Sequence, residues 1–159
     1  VLALNNGHKQ ARLMLANIYL QQQQQTEAES LLATGLAQDP RHAPFAMLYA
    51  QLLMAQTREQ EAIQSLQTAL PDAVQDAEYH AFLAALYQRT GKPAAAVPLY
   101  ETALRYRPMK GEWWMGLGIS LEHSGNLPAA YAAYQRALQY PLKPLLQQYI
   151  QTRLTILPR

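Results

Sequence analysis

The stretch "EWWMGLGISLEHSGNLPAAYAAYQRAL", Glu112–Leu138, decides how this chain folds. Taken alone, its two tryptophans, three glycines, two serines and histidine before Asn126 look like the makings of a chemical site. The rest of the chain gives them another meaning. Ala28, Ala62, Ala96 and Ala130 stand 34 residues apart, and the same step links Leu32, Leu66, Tyr100 and Tyr134. It also links Gly35, Ala69, Ala103 and Ala137, each followed by a leucine: Leu36, Leu70, Leu104 and Leu138. A second series runs Leu15, Tyr49, Leu83 and Leu117, with the small neighbours Ala16, Ala50, Ala84 and Gly118. A fixed period of this length is the mark of a repeat architecture, and four units tile residues 9–144 without an insertion.

Within a unit the apolar spacing is helical. Leu83, Ala84 and Tyr87 follow one helical face, "RTGKP" interrupts, and Ala96, Tyr100, Ala103 and Leu104 resume it. Each unit therefore reads as a helix hairpin. Thr26 with Glu29 has the form of a capping box opening a second helix, and Asn126 before Leu127 and Pro128 reads as an N-cap with proline in the first turn. Pro40 and Pro108, two periods apart, close second helices. In each first helix the fourth, seventh, eighth and eleventh positions form the core stripe. Small residues let two helices approach, large ones fill the space beside them, and stacking of units supplies a core that no hairpin has alone.

These residues resemble the tetratricopeptide repeat (TPR) family. The fourth unit matches its signature through Trp114, Leu117, Gly118, Leu121, Ala130, Tyr134 and Ala137, and the third through Leu83, Ala84, Tyr87, Ala96, Tyr100, Ala103 and Pro108. The first two units diverge: Arg12 and Ala46 replace the aromatic, and Val74 replaces the closing proline, which predicts looser junctions. The expected fold class is all-α, an α-α solenoid of four TPR helix hairpins over 9–42, 43–76, 77–110 and 111–144, with a C-terminal capping helix over 145–159. In that last helix Leu146, Tyr149, Ile150, Leu154 and Leu157 form the apolar stripe, with Gln147, Gln148, Gln151 and Arg153 largely opposite. Residues 1–8 read as the end of an upstream helix or a linker, and Val1 as the start of an excised or processed segment preceded by further repeats or a linker. Trp113, in line with Ala11, Phe45 and Tyr79, is expected to wedge against the preceding hairpin.

Composition bounds the functional classes. Half of the 159 residues are hydrophobic, enough for a substantial core, yet no apolar run approaches the roughly 18 residues of a membrane span. With no cysteine there are no disulfides or thiolate metal sites. A net charge of +2 with scattered basic residues argues against nucleic acid, and the cluster Arg105, Arg107 and Lys110 reads as a solvated turn. Gly116 and Gly118 form only a fragment of a dinucleotide fingerprint, and no strand precedes them. Ser120 and His123 lack a third orienting group, and His8, His42, His80 and His123 are dispersed along the chain with no pair at metal-ligand spacing. Glu27, Glu29, Glu59 and Glu61 suit the starts of second helices. The chain thus reads as no enzyme, with no catalytic, cofactor-binding or metal site and no cofactor.

The resemblance implies where a partner would lie. In TPR proteins the fifth, ninth and twelfth positions of each first helix face a concave groove. Here these are Leu13, Asn17 and Leu20; Met47, Gln51 and Met54; Ala81, Ala85 and Gln88; and Met115, Ile119 and Glu122. The adjoining sixth positions are Met14, Leu48, Phe82 and Gly116. Four of the five methionines fall on or beside this surface, and methionine suits a surface that adapts to apolar partners. The helix "PFAMLYAQLLMA", Pro44–Ala55, is apolar on almost every side, with Gln51 its one polar side chain. The expectation is an apolar groove for a helical or extended segment of another protein in a larger assembly, with Asn17 and Gln51 available to its backbone. The basic and amide residues that chaperone-tail adaptors carry here are reduced to Asn17. An oligomerisation module, in which the apolar surface meets another copy or flanking parts of the chain, is the alternative, and an RNA-reading repeat lacks the expected period and inner-face side chains. Within the family, the run from Trp113 to Leu138 is similar to the C-terminal TPR region of MSHA-type pilus biogenesis proteins of bacteria. That similarity implies the periplasmic side of a membrane-anchored parent, without direct membrane insertion by this segment; otherwise the expectation is cytoplasmic.

Overall fold

A computed structural model describes residues 2–157, which form nine α-helices. The chain divides after Val74 into two compact units. The first holds α1 (Leu2–Gln21), α2 (Gln25–Gln38), α3 (Ala43–Ala55) and α4 (Glu59–Ala69), followed by a short 3-10 turn, Leu70–Asp72. The second holds α5 (Ala77–Arg89), α6 (Pro93–Tyr106), α7 (Gly111–His123), α8 (Leu127–Ala137) and α9 (Pro144–Ile156). The division falls where Val74, exposed, takes the place of a closing proline.

The periodic small residues are the places of closest approach. Ala28, Ala62, Ala96 and Ala130 are all completely buried. Inside the second unit, a Cβ on Gly118 would lie 2.7 Å from the Tyr134 ring, and one on Gly116 would lie 2.5 Å from Tyr100 Cζ. In the first unit a Cβ on Gly35 would lie 2.8 Å from the fully buried ring of Phe45. There Ala16, Leu32 and Phe45 form a buried cluster, with Leu13, Leu31, Leu36, Leu48 and Tyr49 packed around it.

Several local readings change. Leu2–Gln21 is one unbroken helix, so residues 2–8 belong to α1 rather than to the end of a separate upstream helix. Thr26 caps nothing: α2 opens at Gln25 after an N-cap Gln24 without a side-chain bond. Glu29, the other half of the expected box, is held instead by Arg58 at 2.5 Å and Gln56 at 3.1 Å. A guanidinium within reach is a stronger partner for that carboxylate than a backbone amide. Asn126 does cap α8, accepting from the Ala129 amide, and Asp76 caps α5 by accepting from Tyr79. Trp113 is only half-buried, with the Lys110 ammonium 5.5 Å from its ring centre, whereas Phe45 and Tyr79 at the same repeat position are buried.

The turn inside each hairpin contains a regularity of backbone rather than side chain. Gln23, Thr57, Gly91 and Gly125, again one period apart, all have positive φ, between 60° and 82°. The left-handed conformation costs a residue with a Cβ roughly 1–2 kcal/mol, most severely a β-branched one, and glycine almost nothing. Thr57→Gly is therefore expected to raise unfolding stability by about 1 kcal/mol in denaturant titration, the released strain exceeding the added entropy of the unfolded chain. The opposite sign is expected for Gly116→Val. Overpacking against the buried Tyr100 ring should lower stability by about 1–3 kcal/mol, readable as a reduced denaturation midpoint with unchanged m-value.

Candidate functional site

Each unit carries its own row of inner positions. In the first, Leu13 and Leu20 on α1 and Met47 and Met54 on α3 are half-buried, while Asn17 and Gln51 are exposed between them. Asn17 donates to the Leu13 carbonyl of its own helix at 3.0 Å, which leaves its side-chain oxygen for an incoming donor. The α3 helix is apolar as expected, with Phe45, Ala46, Ala50, Leu52 and Leu53 buried.

In the second unit several expected positions are already engaged. Ala81 is buried, 5% exposed, and drops out of the accessible surface. Gln88 accepts from the Tyr100 hydroxyl at 3.2 Å. Burial pushes the Tyr100 hydroxyl up to about 12, so it remains a donor at neutral pH. Glu122 accepts from the Tyr134 hydroxyl at 2.8 Å and from Arg153 on α9. Burial, followed by the hydrogen bond to Glu122, raises the Tyr134 pKa, and the Glu122 carboxylate raises that of Arg153. Met115 and Ile119 stay half-buried, Phe82 likewise, and Ala85 is exposed.

The sixth positions do another job. Gly116 meets Tyr100 of the preceding helix, and Leu48 packs on the cluster of Ala16, Leu32 and Phe45. Gly116 and Leu48 thus take part in helix packing. Met14 in the same place on α1 is 60% exposed.

The C-terminal capping helix α9 continues the 34-residue step. Tyr149, Arg153 and Ile156 stand one period beyond Met115, Ile119 and Glu122. They occupy the fifth, ninth and twelfth positions of a fifth first helix. Ile150 and Leu157 are its buried anchors, whereas Tyr149 and Ile156 are exposed. Arg153, largely opposite the apolar stripe in sequence, pairs with the half-buried Glu122, a carboxylate that needs a cation. Extending the 34-residue step once more would have found these residues.

The serine and histidines noted in the sequence stand in separate local environments. Ser120 Oγ is buried without a hydrogen-bond partner, and His123 Nδ1 faces its own helix at Ile119 O, 2.8 Å away. His80 Nδ1 lies 2.8 Å from Asp76 O. Among the described residues no three His, Cys, Asp or Glu side chains gather where a metal ion could sit, and no helix is long and apolar enough to cross a membrane. Of the small basic cluster, Arg107 pairs with Glu78 at 2.7 Å and Lys110 with the same carboxylate at 3.7 Å.

Tetratricopeptide repeat family profiles match residues 1–52, 26–86 and 83–144. The chain belongs to the tetratricopeptide repeat family. No curated protein matches it. Among solved structures it is similar to the MamA protein, with 21% identity and a TM-score of 0.73 over 87% of this chain and 76% of that one. A MamA RS-1 double mutant gives a TM-score of 0.81 at 14% identity, over 92% and 83% of the two chains. YrrB, described as a TPR protein with an unusual peptide-binding site, gives 0.74 at 16% identity, over 80% and 66%. At these identities the likeness establishes the fold, an all-α member of the helical-repeat solenoid class. Membership of the TPR family makes the chain a scaffold for protein–protein interaction.

The Glu122 network yields a test of how α9 is held. Arg153→Ala should speed amide hydrogen exchange several-fold along Pro144–Ile156 while α7 stays protected, because one carboxylate loses its only cationic partner among the described residues. Glu122→Gln, which keeps an acceptor for Tyr134, should loosen α9 less than Glu122→Ala.

Proposed function

We propose that the chain is a non-catalytic scaffold whose inner first-helix positions receive an apolar helix or extended segment of another protein. The observation that carries this is the row Leu13, Leu20, Met47 and Met54, half-buried apolar side chains with the exposed amides of Asn17 and Gln51 among them. Apolar side chains would sit against the methionines, whose unbranched thioethers adjust to shape, while the amides bond the partner's backbone. In the second unit Met115 and Ile119, with Tyr149 and Ile156 of α9, offer a similar surface. The peptide-binding site named for YrrB lends support from a protein of the same fold. Placing the partner in a bacterial pilus or envelope assembly rests on the resemblance of residues 113–138 to pilus biogenesis proteins. Peptides selected by display against the wild-type chain provide the probe. Met47→Glu with Met54→Glu should weaken their binding by at least about a hundredfold, since two desolvated charges would face an apolar ligand. Unchanged binding in the folded double variant would refute the reading.

A specific observation favours self-association as a second reading. Ile18 is 46% exposed, whereas Leu52, Leu86 and Ser120 at the same position of later first helices are 3%, 2% and 0% exposed. With Met14 and Leu15 it leaves an apolar face on α1. If another copy covers that face, the mass from light scattering will rise with concentration and Ile18→Glu will abolish the rise. A constant monomer mass would exclude it.

A further inference from the structure

His42 stands in the connection between α2 and α3, in surroundings that suit a neutral ring. It is the N-cap of α3 without a side-chain bond; its amide donates to Asp39 O at 3.2 Å, and its carbonyl accepts from the Ala46 amide at 3.1 Å. Its Nε2 is buried and has no hydrogen-bond partner, and the ring stands edge-on to Phe45 with ring centres 4.2 Å apart. Phe45 is in turn buried in a cluster with Ala16 of α1 and Leu32 of α2, and a Cβ on Gly35 would lie 2.8 Å from its ring. The imidazole therefore rests on a side chain that holds α3 against the hairpin of α1 and α2.

A proton added to this ring meets three costs. It puts an N–H where no acceptor stands, a positive charge at the N-terminus of a helix, and a second cation near the Lys9 ammonium. The two carboxylates that could answer it are already engaged: Asp39 by Lys9 Nζ at 2.6 Å, and Asp72 of the 3-10 turn by the Ala43 amide at 3.2 Å. The other charged or titratable groups at this joint are Arg12 and the exposed His8 of α1, which line a cavity with Phe45, and the exposed Arg41. The α3 helix has no charged residue, and Glu27, Glu29, Glu59 and Glu61 lie near the starts of α2 and α4. Burial, and after it the Lys9 ammonium, hold the His42 imidazole below its usual range against the opposing pull of Asp39 and Asp72. A base that binds its proton more weakly folded than unfolded stabilises the fold above about pH 6.5, and that contribution is lost as the pH falls from there through the folded value. We propose that His42 is an acid-sensitive latch: protonation expels its ring from the seat against Phe45, loosens the packing of α3 on the first hairpin and disturbs the row of Leu13, Leu20, Met47 and Met54, which spans α1 and α3. The effect on partner capture rests on the reading of that row as a binding face; the loosening itself does not.

The test follows the imidazole resonances of the wild-type chain by NMR from pH 7.5 to 5, with His42 assigned through its bonds, and amide hydrogen exchange at pH 7 and 5.5. The His42 midpoint is expected below about 6.5. Protection at the end of α2 and the start of α3 should fall about threefold or more on acidification, while α6 and α8 keep theirs. His8→Gln should retain this response and His42→Gln should lose it. The affinity of the display-selected peptides should fall about twofold or more at pH 5.5 in the wild type and in His8→Gln, but not in His42→Gln. By reciprocity, bound peptide should lower the His42 midpoint further. A midpoint at or above 6.5, an equal loss of protection in both units, or a response that survives in His42→Gln would overturn the latch. Acid-dependent exchange that requires His42, with no peptide bound at pH 7, would uphold the latch and refute the binding reading instead. The wild-type titration decides the matter even if His42→Gln does not fold.

Discussion

The structure depends on one steric constraint, repeated: a large side chain on a second helix occupies space that only a very small residue on a neighbouring first helix can leave. Tyr134 against Gly118 and Tyr100 against Gly116 are its tightest instances, each ring lying where a methyl group would collide. The dispersion and hydrophobic gain of burying a tyrosine ring is concentrated at those points. The hydroxyls must then be satisfied where the rings carry them. Tyr100 reaches Gln88 and Tyr134 reaches Glu122, both at the twelfth place of a first helix. Packing of the hairpins thus reaches into the surface available for recognition, because two of the inner polar side chains are already committed to the tyrosines that hold the helices together.

That coupling separates the two units chemically. In the first, the large residues opposite the small ones are Leu32 and Leu66, which have no hydroxyl to satisfy. Its inner polar groups are accordingly Asn17 and Gln51, exposed amides with no tyrosine to serve. In the second, Glu122 serves Tyr134 and Arg153 together, and the cation draws α9 into register as a fifth first helix. The exposed inner amides therefore belong to the first unit, and the second has an apolar and aromatic surface around Met115, Ile119 and Tyr149.

What the sequence makes legible follows from what it encodes directly. The period, the hairpins, the prolines in first turns and the Asn126 cap are all properties of residue identity at fixed spacing, and they emerge without coordinates. The left-handed turn residues are different. Gly91 and Gly125 advertise their conformation, but Gln23 and Thr57 adopt it because the hairpin geometry is imposed by packing on either side, against their own preference. Glu29 fails as a capping residue for a related reason. Its partner Arg58 is 29 residues away, and no local motif announces a long-range guanidinium. The α9 residues lie on the repeat arithmetic and their amphipathic pattern fits a terminal cap, but the pairing of Arg153 with Glu122, 31 residues away, has no local sequence signal.

Arg12 shows how divergence from a repeat signature carries information of its own. Trp114 at the same position fulfils itself locally, its indole donating to Pro108 O at 2.7 Å with Arg136 over the ring. Replacing such an aromatic by arginine removes apolar contact area and introduces donors that the hairpin does not satisfy. Gly35, where the other units have alanine, accommodates the longer side chain without giving it an acceptor. Arg12 and Gly35 thus diverge from the signature together, the glycine leaving room for the arginine stem against α2.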